Sequence, residues 1–396
     1  MMGDPWLTII GLGEDGLAGL TDASRDALAR AEIVFGGPRH LALVGAGERG
    51  RAWPVPFDVA EVLATKGSNV AVLASGDPFW HGAGSSLAAH LDPSEWRCFP
   101  GISTFSRAAA RLGWRIEDVA CLGLHAAPFS RLLPHLAAGR RTICLVRDGA
   151  SVAGLADWLV QNGQGAAQLW VMEALGGPSE RVRRVQADAI VLADIGALVA
   201  VAVEPAAVLT VALPMVPGLP DRCFANDGQI TKSPIRALTL AALAPRPGEF
   251  LWDIGAGSGS VSVEWCRAGG HAIAVEARAD RVANIRLNVD AFGLGGQMTV
   301  VEGAAPAALA GLSAPDAVFV GGGANQGLLL GLWDALPIGG RMVCNGVTLE
   351  TETLLTFWHG AKGGSLMRID LAQAAPLGRM RGWTAARPVV QWSAVK

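Results

Sequence analysis

The sequence predicts an α/β fold built in two successive parts. Three observations lead there. Short apolar strands alternate with helices through the first half. A strand, a glycine-rich turn and a helix follow one another in the second, at Leu251-Trp252-Asp253-Ile254, Gly255-Ala256-Gly257-Ser258-Gly259 and Ser260 onward. The length of 396 residues suits two domains rather than one.

Composition narrows the partners. The formal net charge is −3 and no Lys/Arg run occurs, which argues against nucleic acid as a partner. Cys98, Cys121, Cys144, Cys223, Cys266 and Cys344 are scattered with no C-x-x-C pair. That pattern predicts buried thiols in a reducing, cytoplasmic setting and no metal site. No basic stretch precedes an apolar run at the N-terminus, so no signal peptide is expected. Ile195 to Leu219 is long and apolar, but Glu204-Pro205 divides it and Pro214, Pro217 and Gly218 follow. Neither part reaches the roughly 20 apolar residues of a membrane span, so a buried strand and then a connection are predicted, with no membrane partner.

In chain order, Leu7 to Ile10 reads as a strand running into Gly11-Leu12-Gly13-Glu14, and a helix follows to about Ala31. Ile33 to Phe35 and Val70 to Ala74 are further strands, the latter ending in Ser75-Gly76-Asp77-Pro78 and then Phe79-Trp80-His81. Pro100-Gly101-Ile102-Ser103-Thr104 leads into a helix from Phe105 to Leu112, and Thr142 to Val146 is a strand. Loops that follow strands are where open α/β sheets bind ligands. Singly, each is also an ordinary turn; Ser75 to Pro78 suits a type I turn with Asp77 as an Asx residue.

Taken together, G-x-G, G-D-P, P-G-I-S and Val171-Met172-Glu173-Ala174-Leu175-Gly176 resemble the tetrapyrrole (corrin/porphyrin) methylase family over about Pro5 to Pro205. The resemblance implies two α/β lobes with S-adenosylmethionine (SAM) folded between them. It assigns Ser75, Gly76, Asp77, Ser103, Thr104 and Val146 to SAM, with Val146 on the second lobe's first strand and Asp77 also catalytic. Many relatives carry proline where this chain has Glu14, which is therefore left unassigned.

The stretch 207–226 is rich in proline and without a clean period, and reads as a linker between domains at 1–206 and 227–396. Ser233 or Thr231 is predicted to cap the next helix, with proline in its first turn. His271 to Val275, ending in Glu276, is a second strand; Met298 to Val301, Ala317 to Val320 and Arg341 to Asn345 are later ones. A dinucleotide fingerprint spaces its glycines G-x-G-x-x-G. Here the spacing is D-x-G-x-G-x-G, which resembles the SAM loop of class I methyltransferases and implies a Rossmann-like fold. The family places the methionine end of SAM on the loop and its ribose on Glu276.

I-T-K-x-x-I-R from Ile230, the glycine loop, G-A-A-P from Gly303, P-D-A-V-F from Pro315 and V-T-L-E-T-E from Val347 resemble the decarboxylating C15-methyltransferases of cobalamin biosynthesis. The order of the two halves is similar to that of bifunctional precorrin methyltransferases. That likeness implies methylation of a small tetrapyrrole at C5 and C15 with decarboxylation of the ring C acetate side chain, from precorrin-6B to precorrin-8. It also implies a homo-oligomer, dimer or tetramer. Thr231, Asp253, Gly255, Ala256, Gly257, Ser258, Gly259, Glu276, Ala304 and Ala305 would contact SAM. Asn325, Thr348 and Glu350 are candidates for catalysis because they lie near predicted strand ends, and Thr348 and Glu350 would share a face if they lay on one strand. Arg236, Arg379 and Arg381 are candidate clamps for substrate carboxylates, which a guanidinium matches bidentately. A cobalt-bound tetrapyrrole, or one half serving only as a carrier, stays open as an alternative.

Overall fold

The computed structural model describes residues 5–207 and 213–396. The chain divides into two compact units: 1–129 with 135–212, and 130–134 with 213–396.

The first unit holds two five-stranded sheets. In the first lobe β1 (Leu7–Leu12), β2 (Ile33–Gly36), β3 (Gly50–Ala52), β4 (Val70–Ser75) and β5 (Trp96–Phe99) are all parallel, in the order β3-β2-β4-β1-β5. Residues Leu7 to Leu12 are all buried, as expected of a central parallel strand covered on both faces. Side chains of these strands alternate between two cores: Ile10, Val34 and Leu73 pack on one face, and Ile9, Phe35 and Val72 on the other. The second lobe contains β6 (Val119–Gly123), β7 (Arg141–Leu145), β8 (Gln168–Glu173), β9 (Arg181–Gln186) and β10 (Val199–Glu204), in the order β6-β7-β10-β8-β9. Only β6 and β7 run parallel there. The strand ending near Val146 is thus the second of its lobe, because Val119–Gly123 pairs outside it. The strand predicted after Ile195 is β10, buried from Val199 to Val203.

The second unit carries one seven-stranded sheet in the order β13-β12-β11-β14-β15-β19-β16. Its strands are β11 (Phe250–Ile254), β12 (His271–Glu276), β13 (Met298–Glu302), β14 (Ala317–Val320), β15 (Arg341–Gly346), β16 (Ser365–Ile369) and β19 (Val389–Val395). The first five are parallel, and β19 and β16 close the edge antiparallel. Side chains that alternate along each strand fill two separate cores. Leu251, Ala274 and Phe319 face the helices Ser233–Leu243, Ser260–Arg267 and Ala279–Ala291. Trp252, Val275 and Val318 face Gln326–Ala335 and Leu349–Lys362. A hairpin of β17 (Ala372–Leu377) and β18 (Met380–Ala385) forms a sheet of its own.

Two expectations about this region are corrected. Of the stretch 207–226, Val208 to Ala212 lies outside the described residues. The segment after Ala212 is built into the second unit: Leu219 and Phe224 are buried in its core, and the Gly218 and Leu219 N–H groups donate to Glu264 at 2.6 and 3.0 Å. Neither Ser233 nor Thr231 caps the helix Ser233–Leu243, whose N-cap Lys232 supplies no side-chain bond. Asp221 does so from twelve residues upstream, accepting the Ser233 N–H at 3.0 Å, while Ser233 Oγ donates to the Gly218 carbonyl. No helix among the described residues is long and apolar enough to cross a membrane.

Candidate functional site

In the first unit three loops meet at the C-terminal ends of β1, β4 and β5. Gly76 N–H donates to the Leu12 carbonyl at 2.9 Å, and Gly101 N–H donates to the Gly76 carbonyl at 3.0 Å. A Cβ on Gly11 would stand 1.9 Å from the Gly76 oxygen and 2.2 Å from the Gly101 nitrogen. The three backbones therefore touch without side chains between them, and Gly76 adopts φ +57°, where glycine is favoured.

Two compartments that share lining residues lie beside this junction, and Gly76 lines one of them. The inner one, about 240 Å³, is lined by Trp53, Phe57, Trp80, Phe105, His40 and Asp77 among others. The outer one, about 260 Å³, is lined by Gly13, Gly76, Val146, Met172, Leu175 and Ala200 among others. Ser75 and Thr104 line both, and Ser103 lines the inner one while capping the helix Thr104–Leu112 through Ser106 N–H. All six predicted residues of this half thus gather in one place. Asp77 is both the Asx residue of its turn, accepting Phe79 N–H at 2.9 Å, and part of the inner wall.

Polar order surrounds Ser75. Arg39 Nη2 lies 3.0 Å and His40 Nε2 2.9 Å from its hydroxyl oxygen. Burial first, then the Arg39 charge, pushes the His40 imidazole down to about 4, so the ring is neutral. Arg39 can only donate to Ser75, and the Ser75 hydroxyl donates to His40 Nε2. Glu14 does not face open solvent: it is ion-paired with Arg39, as Asp15 is with Arg107 at 2.8 Å.

In the second unit the order of the parallel strands reverses between β11 and β14, the point at which doubly wound sheets bind ligands. A cavity of about 530 Å³ opens there, lined by the loops after β11 (Gly255 to Ser258), β14 (Gly321 to Ala324) and β15 (Gly346 to Thr348). Gly255, Gly257 and Gly259 have φ of +66°, +59° and +70°, so the corner needs glycine at each. Two buried carboxylates brace it. Glu276 accepts Gly257 N–H at 2.8 Å and Arg278 N–H at 3.0 Å. Asp253 accepts Ser262 N–H at 3.3 Å and Ser262 Oγ–H at 2.7 Å. Burial pushes Asp253 up to about 6 despite those bonds. Ser258 Oγ is buried with no hydrogen-bond partner.

Thr231, Gly255, Ala256, Gly257, Ser258 and Thr348 line this cavity; Asp253, Gly259, Glu276, Ala304 and Ala305 do not. Two readings are corrected, and the other candidates are exposed. Arg236 is no carboxylate clamp, because its side chain is fully buried. It bonds Glu264 at 2.6 Å, Asp221 at 3.3 Å and the Thr231 and Leu219 carbonyls, and its guanidinium lies over Phe224. Thr348 and Glu350 share no strand: Thr348 caps the helix Leu349–Lys362 and Glu350 is exposed in its first turn. Asn325 is an exposed helix cap accepting Leu328 N–H, next in the chain to Ala324 of the cavity wall. Arg379 and Arg381 lie on the exposed β17–β18 hairpin, outside the cavity wall.

The cavity instead takes Lys232, Asn345, Thr351 and Arg387. Arg387 makes no ion pair among the described residues. Asn345 belongs to a buried trio: its Nδ2 donates to Thr239 Oγ1 at 2.9 Å and its Oδ1 accepts from Gln391 Nε2 at 2.9 Å. Asn345 pairs directly with Gln391 across β15 and β19, a register that no local pattern announces.

A glycine-floored cleft between two α/β lobes in one unit, and a strand–glycine corner in the other, define a methyltransferase of two parts. The family model for Tetrapyrrole (Corrin/Porphyrin) Methylases matches residues 6–191, and that for the Precorrin methyltransferase domain matches 222–396. A Sinorhizobium protein named precorrin-6Y C(5,15)-methyltransferase [decarboxylating] is 48% identical, over 99% of this chain and 97% of its own. A Mycobacterium tuberculosis protein of the same name is 40% identical, over 98% and 100%. The crystal structure of the C-terminal domain of the Rhodobacter capsulatus precorrin-6Y C5,15-methyltransferase is 64% identical, covering 46% of this chain and 100% of that one, with a TM-score of 0.46. This chain belongs to the precorrin-6Y C(5,15)-methyltransferase (decarboxylating) family.

Proposed function

We propose that this enzyme uses SAM to methylate a precorrin at C5 and C15 and releases the carboxyl group of the ring C acetate as carbon dioxide, taking precorrin-6B to precorrin-8 in cobalamin biosynthesis. The first half acts at C5, and the second, 213–396, acts at C15 and decarboxylates. The observation that carries this reading is a separate cleft in each half beside a glycine turn that follows a strand, lined by Gly13 and Gly76 in the first and by Gly255 and Gly257 in the second.

The residues present fit SAM at both places. In the first half the Gly11–Gly76–Gly101 contact packs three loops backbone to backbone, and Gly76 and Gly13 line the cleft beside it. In the second, the unpartnered Ser258 Oγ and the left-handed glycines form the wall. Ser75, Gly76, Ser103, Thr104 and Val146 would hold SAM in the first half; Thr231 and Gly255 to Ser258 would do so in the second. SAM supplies a methyl group on a sulfonium, already a good leaving group. The chain's task is therefore to place the reacting carbon against it and to keep water out.

The aromatic inner compartment of the first half suits a flat conjugated ring. In the second half, Arg387 and Lys232 on the cavity wall take the place of Arg236 as partners for substrate carboxylates, with Arg379 and Arg381 exposed on the β17–β18 hairpin. Decarboxylation leaves an electron pair that the conjugated imines of the ring accept, and the acetate carbon then takes a proton. The reading includes a cytoplasmic homo-oligomer, a dimer or tetramer. Leu377, Met380 and Trp383, exposed on the β17–β18 hairpin, support a subunit contact there.

Mass spectrometry of the tetrapyrrole after incubation with protein and SAM tests the whole. Gain of two methyl groups and loss of one carbon dioxide is expected; an unchanged mass would overturn the assignment.

A further inference from the structure

We propose that His81 accepts the proton that leaves the C5 carbon when the first half methylates it. The inference rests on the reading of that half as the C5 methyltransferase and assigns a residue that the sequence motifs leave without a role.

The chemistry requires such a group. Methyl transfer breaks the carbon–sulfur bond, with its pair returning to sulfur, and the π electrons of the ring form the new carbon–carbon bond. The C5–H bond then breaks, its pair restores the conjugation, and one proton must go somewhere. An imidazole is the side chain whose ordinary titration suits that task near neutral pH.

The placement singles out His81. Four residues line both compartments of the first unit: Ser75, His81, Thr104 and Leu145. Of these, His81 alone is a base. If the SAM methyl group points to where the two compartments join, the reacting carbon must sit there, beside this side chain.

The imidazole also has a built seat. His81 is held at φ +60°, in the left-handed region that a non-glycine residue seldom adopts. Its ring meets Phe105 edge-on at 6.2 Å and His125 at 6.3 Å between centroids. Gly123 makes room for it, since a Cβ there would lie 3.2 Å from the ring. The charged and titratable groups around it are Asp77 and neutral His40 on the inner side. On the outer side they are His125, Arg107, Arg147 and the Arg39–Glu14 pair.

The test compares the full chain with His81→Gln and His81→Phe on a tetrapyrrole already methylated at C15 and decarboxylated. Three quantities are read: tetrapyrrole binding by absorbance without SAM, the C5 rate against pH, and the effect of deuterium at C5. Binding is expected to stay within about twofold in both variants, while the C5 rate falls about 100-fold. The acid limb of the wild-type pH profile should vanish in the Gln variant, and a primary isotope effect should appear as proton loss becomes slow. A Gln variant that keeps the rate and the acid limb would overturn the inference, as would loss of binding and rate together, which would make the ring a structural wedge. A wild-type chain that leaves C5 unmethylated would overturn the reading of this half along with the inference. Normal C5 methylation by wild type beside an unaffected Gln variant would overturn the inference alone.

Discussion

The two cradles meet the same demand, close backbone approach to a ligand, by opposite means. In the first unit the approach is made by three loops far apart in the chain, at Gly11, Gly76 and Gly101, hydrogen-bonded backbone to backbone. In the second a single loop suffices, and it is held by two buried carboxylates, Asp253 and Glu276, that bind its amides and those of the helix after it. The first arrangement is held by volume: no side chain fits. The second is held by conformation and charge: the glycines sit where a Cβ is strained, and the carboxylates are unfavourable to bury. The two should therefore fail differently when disturbed.

The largest effect is expected where volume decides. Gly11→Ala puts a methyl 1.9 Å from a carbonyl oxygen, so the first cradle must open; C5 methylation should drop by more than about 100-fold, in keeping with the sensitivity of positioning to displacements near 1 Å. Gly257→Ala meets nothing closer than 3.8 Å and incurs mainly the left-handed backbone penalty, about 1–2 kcal/mol. C15 methylation should fall by less than C5 methylation does in the other variant. Product masses from the two variants, compared side by side, would break the contrast if the losses were equal.

The next largest concerns the buried ion pair. Arg236→Ala strands Glu264 in the core of the second unit, and removing one member of such a pair costs about 3–5 kcal/mol. Scanning calorimetry should show the transition of the second unit lowered while that of the first stays in place. A loss confined to substrate affinity, with melting unchanged, would restore the clamp reading.

The smallest probes the buried charge of the second cradle through pH. Burial raises the Asp253 carboxyl from its ordinary 3.8 to about 6. The folded protein thus holds this proton more tightly than the unfolded chain. The stability it contributes is complete below about 4 and is lost as pH rises through about 6. At about 1.4 kcal/mol per pH unit, the change is about 3 kcal/mol at most. Asp253→Asn should flatten that part of the stability profile, measured by denaturant unfolding at pH 4 and at pH 7. An identical slope in the variant would show that Asp253 is not the titrating group.

Much of this was legible in advance. The apolar runs marked the strands, since a strand buried on both faces has few polar positions. The spacing of Gly255, Gly257 and Gly259 marked a corner that only glycine turns. The three dispersed loops of the first unit were legible through the order of their motifs, and their five predicted residues meet together with Val146 of the second lobe. Residues whose role depends on direction were less legible. Arg236 looked available and is fully buried; Thr348 looked like part of a strand and caps a helix; Asn325 looked central and caps another. Capping signals are local and could have been read, for Thr348 and Asn325 each precede an apolar helix by one position.

The sequence by itself determined what lies within a few residues' reach: where strands end, which turns require glycine, and the succession of two α/β halves. Only the tertiary structure decided which polar side chains face a cavity and which are enclosed in the core. Arg236 finds Glu264 because two helices pack, and Asn345 finds Gln391 because β15 and β19 pair in one register. His81 stands at the junction of two compartments because loops from both lobes meet around it. A local pattern fixes the path of the backbone, but the partner of a polar group is set by whichever distant element packs against it, and the cost of leaving such a group unpaired holds that arrangement in place.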